Sequence, residues 1–171
     1  MKVLKVFFKL LLVILISFFI SMHIWAQEPG QEDNKGQSAI SLEECIKEMM
    51  NIKNEKLDNN QKSYLEAGEE RGYLKGIINR NKDEAVTRAM LSRIIVNFLD
   101  IKPIYSKDDL FEDLKAFPDA EYIKGVYAEY LIDGIDEKHF YPNQPVSKNE
   151  FKTILERIKK FEEKYMNKRD A

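Results

Sequence analysis

A short pattern recurs in the sequence at an offset of 58 residues, and this repetition restricts the fold more than any other feature. Gly72-Tyr73-Leu74-Lys75-Gly76-Ile77 aligns with Tyr130-Leu131-Ile132-Asp133-Gly134-Ile135. A short amphipathic helix precedes each copy, and Gly76 or Gly134 closes the turn at a position predicted to need positive φ. A unit that occurs twice in this way predicts tandem helical repeats.

A second helix is predicted after each glycine turn, behind a hydroxyl side chain that can cap it. Thr87 occupies this position in the first copy and Ser147 in the second. Apolar side chains then recur at helical spacing in both segments: Leu91, Ile94, Ile95 and Phe98, matched by Phe151, Ile154, Leu155 and Ile158. The recurring order of helix, glycine turn and capped helix predicts an all-α fold of helix–loop–helix repeats.

The first 26 residues have the features of an export signal. Lys2, Lys5 and Lys9 precede an uncharged apolar run, and Ala26 provides a candidate cleavage position. Positive charge before an apolar segment keeps the N-terminus cytoplasmic, so the rest of the chain is expected to cross the membrane. The segment 1–26 is therefore predicted to be a signal peptide or an uncleaved signal anchor. The predicted location is the cell envelope, either the cell wall or the periplasm.

The remaining chain divides into five predicted segments. Residues 27–40 contain few large apolar side chains and are predicted to form a flexible spacer. Residues 41–60 are predicted to contain an amphipathic helix from about 42 to 57, with Ser41 and Glu44 placed as a capping box. Residues 61–105 form the less regular copy, residues 106–165 form the more regular copy, and residues 166–171 form a tail.

Composition argues against several classes of function. The chain contains 27 basic and 29 acidic residues, and removing three leader lysines leaves 24 against 29, a net charge of −5. A mildly acidic surface does not favour nucleic-acid binding. Cys45 is the single cysteine, accompanied by His23 and His139, so neither a disulfide nor a zinc site is expected. No catalytic residues, metal ligands or cofactor-binding motifs are found, and the chain is predicted not to be an enzyme.

The second copy contains a series of motifs in a fixed order. They are Phe111-Glu112-Asp113, Phe117-Pro118-Asp119, Leu131-Ile132-Asp133-Gly134, Phe140-Tyr141-Pro142 and Val146-Ser147-Lys148-Asn149-Glu150-Phe151. This order resembles the S-layer homology repeat, whose consensus combines Phe-x-Asp, a glycine turn, Phe-x-Pro and a Thr-Arg-Ala-Glu helix start. The first copy resembles the repeat through Gly72 to Gly76 and through Thr87-Arg88-Ala89-Met90. The resemblance extends from about Gln61 to Tyr165.

The resemblance implies helical repeats around a pseudo-threefold axis, with cell-wall polysaccharide bound in the grooves between them. The basic residue of the Thr-Arg-Ala-Glu motif is a ligand contact in this family. A cation at a helix N-terminus suits an anionic sugar substituent. The implied polymer-binding residues are Arg88, Thr87, Lys148, Ser147 and Glu150. The implied turn and structural residues are Gly72, Gly76, Gly134, Phe111 and Asp113.

The sequence also departs from the family pattern. Lys148 replaces arginine, Met90 replaces glutamate and Tyr130 replaces glycine. A complete third repeat is missing, and either the helix predicted within residues 41–60 or another chain could complete the bundle. The leading hypothesis is an exported protein that binds a cell-wall polysaccharide, which could be anionic. The alternative is an envelope module that keeps the fold but binds a protein partner or forms a homo-oligomer.

Overall fold

The computed structural model describes residues 38–78, 80–106 and 110–169. These residues form five α-helices and one 3-10 helix, and the all-α prediction is confirmed. The α-helices are α1 (Leu42–Ile52), α2 (Tyr64–Glu70), α3 (Arg88–Leu99), α4 (Ala120–Ala128) and α5 (Lys148–Arg169), and the 3-10 helix spans Glu112–Leu114. The predicted leader lies outside the described residues. Within the described part of the chain, no helix combines the length and apolarity needed to cross a bilayer.

Helices α1, α3 and α5 begin with the same local structure, and Ser63 caps α2 with the same type of hydrogen bond. Ser41, Thr87 and Ser147 each precede a helix, and each hydroxyl accepts a hydrogen bond from the backbone N–H three residues later. A hydroxyl N-cap satisfies one of the N–H groups that a helix start leaves without an intrahelical acceptor. The predicted caps at Thr87 and Ser147 therefore form, and α1 has an equivalent cap.

The segments before these three helices meet in a closed ring of backbone hydrogen bonds. The N–H of Ile40 donates to the carbonyl of Val146 at 3.0 Å, Val146 donates to Val86 at 2.9 Å, and Val86 donates to Ile40 at 3.0 Å. Each residue immediately precedes an N-cap, so the three positions are equivalent. This cyclic pattern defines a pseudo-threefold arrangement, in which residues 38–52 occupy the third position.

The side chains behind this ring form one apolar core. Helix α3 packs against α4, and α1 packs against α2 and α5. All five helices supply buried apolar residues to the same cluster. The residues before the N-caps, Ile40, Val86 and Val146, are almost completely buried within it. Both repeat copies and α1 therefore share one hydrophobic core, and the backbone ring lies within it.

The N-terminal part of this unit differs from the sequence-based prediction in two places. Ile40, which was expected to belong to the spacer, is buried and participates in the backbone ring. Helix α1 ends at Ile52, earlier than the predicted residue 57. It ends there because Asn54 adopts φ 54°, and Glu55 N–H donates to the Met50 carbonyl at 3.0 Å, which closes the helix terminus.

Candidate functional site

The first turns of α1, α3 and α5 place matching side chains around the backbone ring. Each interface between two of these helices combines the first residue of one helix with the third residue of its neighbour. Two of these interfaces contain ion pairs: Arg88 with Glu150, and Lys148 with Glu44. The equivalent positions at the third interface are Leu42 and Met90, both apolar. The same construction therefore has a basic–acidic pair at two interfaces and apolar residues at the third.

The Arg88 side chain lies inside the protein, where its exposed fraction is 2%. Its Nε donates to the Phe140 carbonyl at 2.8 Å, its Nη2 donates to the Asp133 carbonyl at 2.5 Å, and its Nη1 pairs with Glu150. The guanidinium also lies 4.3 Å from the centre of the Phe140 ring. Burial lowers the pKa of Arg88, and the negative charge of Glu150 opposes this effect. These contacts join α3 to the second copy.

The Lys148 side chain lies at a much more open interface. Its exposed fraction is 48%, and its Nζ lies 2.7 Å from a carboxylate oxygen of Glu44, which is itself 39% exposed. An ion pair with this exposure is weak, because water solvates both charges and the long side chains lose entropy when they are held together. The ammonium group of Lys148 is therefore open to solvent and only weakly held by Glu44.

Backbone donors at the helix starts are already used within the protein. The first N–H of α3, at Arg88, donates to the Gln144 carbonyl at 3.0 Å, and the first N–H of α1 donates to Glu84 at 2.9 Å. The first N–H of α5, at Lys148, donates to Ser38 at 3.2 Å. An anionic ligand would need to displace these carbonyls to reach the same N–H groups. The ammonium group of Lys148 is therefore a more accessible donor than the backbone beside it.

The remaining predicted polymer-binding residues serve as caps or pair with Arg88. Thr87 and Ser147 direct their hydroxyl oxygens to the backbone of their own helices, at 3.2 Å in both cases. Ser147 is 5% exposed. The Glu150 carboxylate pairs with Arg88 and is 22% exposed. The structure thus brings Arg88 and Glu150 together, while Lys148 pairs with Glu44 at a different interface.

The Phe-x-Asp motif fixes the loop that covers Arg88. The Asp113 carboxylate accepts hydrogen bonds from Phe140 N–H at 3.0 Å and from Tyr141 N–H at 2.7 Å. The Phe111 ring packs against the rings of Phe140 and Tyr127. Because the Phe140 carbonyl accepts from Arg88, this motif acts through the loop to position the Arg88 side chain.

The glycines of the two copies serve different purposes. Gly72 and Gly76 have φ values of 79° and 82°, which suit glycine because it has no Cβ. The prediction of positive φ is wrong for Gly134. A Cβ at Gly134 would instead lie 2.4 Å from the Phe111 ring and 2.7 Å from the Asp136 carbonyl. Gly134 is therefore required by close packing of the turn against Phe111.

Tyr130 occupies the position in the second copy that Gly72 occupies in the first. Its φ is 57°, in the left-handed region, which costs a non-glycine residue about 1 kcal/mol or more. The same two hydrogen bonds close both helix ends: Tyr130 N–H donates to Tyr127 and Leu131 N–H donates to Val126, each at 2.9 Å. The substitution therefore preserves the glycine turn while placing a tyrosine ring, 80% exposed, on its surface.

The sequence did not reveal several residues that organise these interfaces. Arg93 pairs with Asp119 and lies 3.8 Å from the centre of the Tyr122 ring, which links α3 to α4. Glu44 was predicted as a capping-box residue, and its N–H donates to the Ser41 hydroxyl, but the sequence did not indicate that its carboxylate pairs with Lys148 across the interface. Aligning Ser41 and Glu44 with Ser147 and Glu150 could have identified the third position, because both pairs have the same spacing.

The fold and these interfaces define an all-α repeat protein with three equivalent capped helices. The family model for the S-layer homology domain matches residues 110–152. The predicted resemblance is therefore confirmed over the second copy, from Leu110 through the start of α5. A search of curated proteins finds no match to the chain. An S-layer homology domain indicates association with the cell envelope and attachment to the cell wall.

Proposed function

We propose that the chain is an exported, non-catalytic protein that binds a cell-wall polysaccharide through its S-layer homology-like repeats. The observation that carries this proposal is the family match at residues 110–152, together with a pseudo-threefold arrangement that includes both copies and α1. The leader-like sequence of residues 1–26 supports export.

The proposed polymer contact is centred on Lys148. Arg88 and Lys148 occupy equivalent positions, but the hydrogen-bond donors of Arg88 are directed to Phe140, Asp133 and Glu150 inside the protein. Lys148 is half exposed and has a weakly held carboxylate partner. We assign Lys148 to the anionic group of the polymer and assign Arg88 to positioning the second copy. In this assignment Ser147 and Thr87 orient the helices, and Glu150 holds Arg88.

A sedimentation assay tests the proposed function. Residues 27–171, which contain all of the described helices, are mixed with purified wall sacculi before and after acid extraction of the polymer. The protein is expected to pellet with intact sacculi and to remain soluble with extracted sacculi. Failure to pellet with intact sacculi would overturn the proposal. Equal retention on both preparations would show that the extracted polymer is not the ligand.

A protein-interaction module is the second candidate. The absence of charged residues at the equivalent positions of the third interface favours it, because an anionic polymer would find no cation there. Leu42 and Met90 occupy the positions that carry ion pairs at the other two interfaces. A repeat protein can keep its fold after such a loss of charge, since apolar residues also pack well at a buried site. Light scattering over a range of concentrations, together with capture from an envelope extract, distinguishes this candidate. It predicts association without retention on sacculi.

A further inference from the structure

Tyr130 has an exposed ring on a backbone conformation that favours glycine. The equivalent residue in the first copy is Gly72, and the two turns are closed by corresponding hydrogen bonds. The turn therefore forms without a tyrosine side chain. The Tyr130 ring also contributes little to the core, because 80% of the residue is exposed. Strained backbone positions cluster at ligand-binding surfaces, so an exposed tyrosine on such a position is a candidate ligand contact.

A cation lies beside the same turn. Arg157, on α5, directs Nη2 to a carboxylate oxygen of Asp133 at 2.7 Å and Nη1 to the Leu131 carbonyl at 3.5 Å. The Arg157 side chain is 37% exposed, and Leu131 directly follows Tyr130 in the chain. The turn thus carries an exposed aromatic ring at Tyr130 and is contacted by a partly exposed guanidinium at Leu131 and Asp133.

Contacts with Arg88, Arg157 and Phe111 hold the turn in place. Arg88 donates to the backbone carbonyl of Asp133, while Arg157 pairs with the side chain of the same residue. The turn also packs against Phe111 at Gly134, where there is no room for a Cβ. A surface that is fixed before binding loses less conformational entropy when a ligand arrives. This rigidity suits a binding platform.

We propose that Tyr130 and Arg157 form a second carbohydrate contact, distinct from Lys148, that takes an anionic polysaccharide. The apolar C–H face of a sugar ring stacks on the Tyr130 ring, and a carboxylate or phosphate substituent pairs with Arg157. Lys148 and Arg157 are nine residues apart on α5, or about two and a half helical turns, so they lie on opposite sides of the helix. This inference rests on the proposed binding of wall polysaccharide.

The test uses Tyr130→Gly in residues 27–171 and measures both retention on wall sacculi and thermal stability. Ala116→Gly is the matched control, because Ala116 is also exposed and has φ 57°. Both variants relieve the strained backbone, but only Tyr130→Gly removes an aromatic ring. We expect the dissociation constant to rise about five- to tenfold for Tyr130→Gly, with no fall in its melting temperature. Ala116→Gly should leave retention unchanged.

Two further variants separate the ring from the charge. Tyr130→Phe keeps the stacking face and should retain binding, whereas Arg157→Gln should weaken binding and reduce its dependence on salt. Unchanged retention of Tyr130→Gly, with the parent protein still bound, would overturn this inference and leave the proposed function intact. Loss of retention that accompanies a lower melting temperature would also overturn it, because the tyrosine would then be structural. Failure of the parent protein to bind sacculi would overturn both.

Discussion

The Arg88–Glu150 and Lys148–Glu44 interfaces use the same kind of ion pair at equivalent positions, yet their surroundings differ. The Asp133 and Phe140 carbonyls cover Arg88, and its side chain is almost fully buried. Lys148 has Glu44 as its partner and stays half exposed. An equivalent position in a repeat therefore does not define an equivalent role. The covering loop decides whether a basic residue is buried in the fold or remains exposed to solvent.

Removing the buried cation should produce the largest effect. Arg88→Ala is expected to lower the free energy of unfolding by about 3–5 kcal/mol, because it leaves Glu150 and two backbone carbonyls without their donor. Urea denaturation followed by circular dichroism measures this change. Arg80→Ala is the control, since Arg80 pairs with Glu69 at the surface and should contribute less than about 1 kcal/mol. Similar losses for the two variants would contradict the structural role of Arg88.

The turn over Arg88 should also be sensitive to an added methyl group. Gly134→Ala is expected to cost about 1–3 kcal/mol, because the new Cβ would overlap the Phe111 ring and the Asp136 carbonyl. Gly72→Ala meets no atom within 4 Å and should cost about 1 kcal/mol through its positive φ. Thermal denaturation of both variants provides the comparison. A larger loss for Gly72→Ala would show that the cover over Arg88 is loosely packed.

The open interface should have the smallest effect on stability. Glu44→Gln removes the charge that pairs with Lys148 and is expected to cost less than about 1 kcal/mol, with a smaller difference at high salt. The same urea titration, at low and high salt, measures it. Glu150→Gln is the matched variant and should cost more, since its partner Arg88 is buried. Equal costs would remove the distinction between the closed and open interfaces.

Local features of the sequence predicted much of the fold. The hydroxyl residues Thr87 and Ser147 cap their helices, and the apolar spacing identified the buried faces of α3 and α5. These features depend on contacts within one or two turns of helix. Gly76 likewise has the positive φ that its place after a helix predicted. Short-range periodicity and capping were therefore sufficient for the all-α assignment.

The surroundings of the candidate site could not be predicted in the same way. Arg88 is buried by Phe140, which lies 52 positions later in the chain. The need for glycine at position 134 likewise depends on the Phe111 ring, which is distant in sequence and leaves no room for a Cβ. A motif identifies Arg88 and Lys148 as equivalent, but it carries no information about the loop that packs over one of them. Long-range packing therefore determines which of the two basic residues is buried, and local motifs do not predict it.

The most direct test of this account is the retention of Lys148→Gln on intact wall sacculi, measured beside Lys152→Gln. Lys152 lies on the same helix and is exposed, so the two variants lose the same charge. We expect Lys148→Gln to pellet substantially less than the parent protein at equal melting temperature, and Lys152→Gln to pellet as the parent does. Equal retention of both variants and the parent would contradict a polymer contact at the open interface.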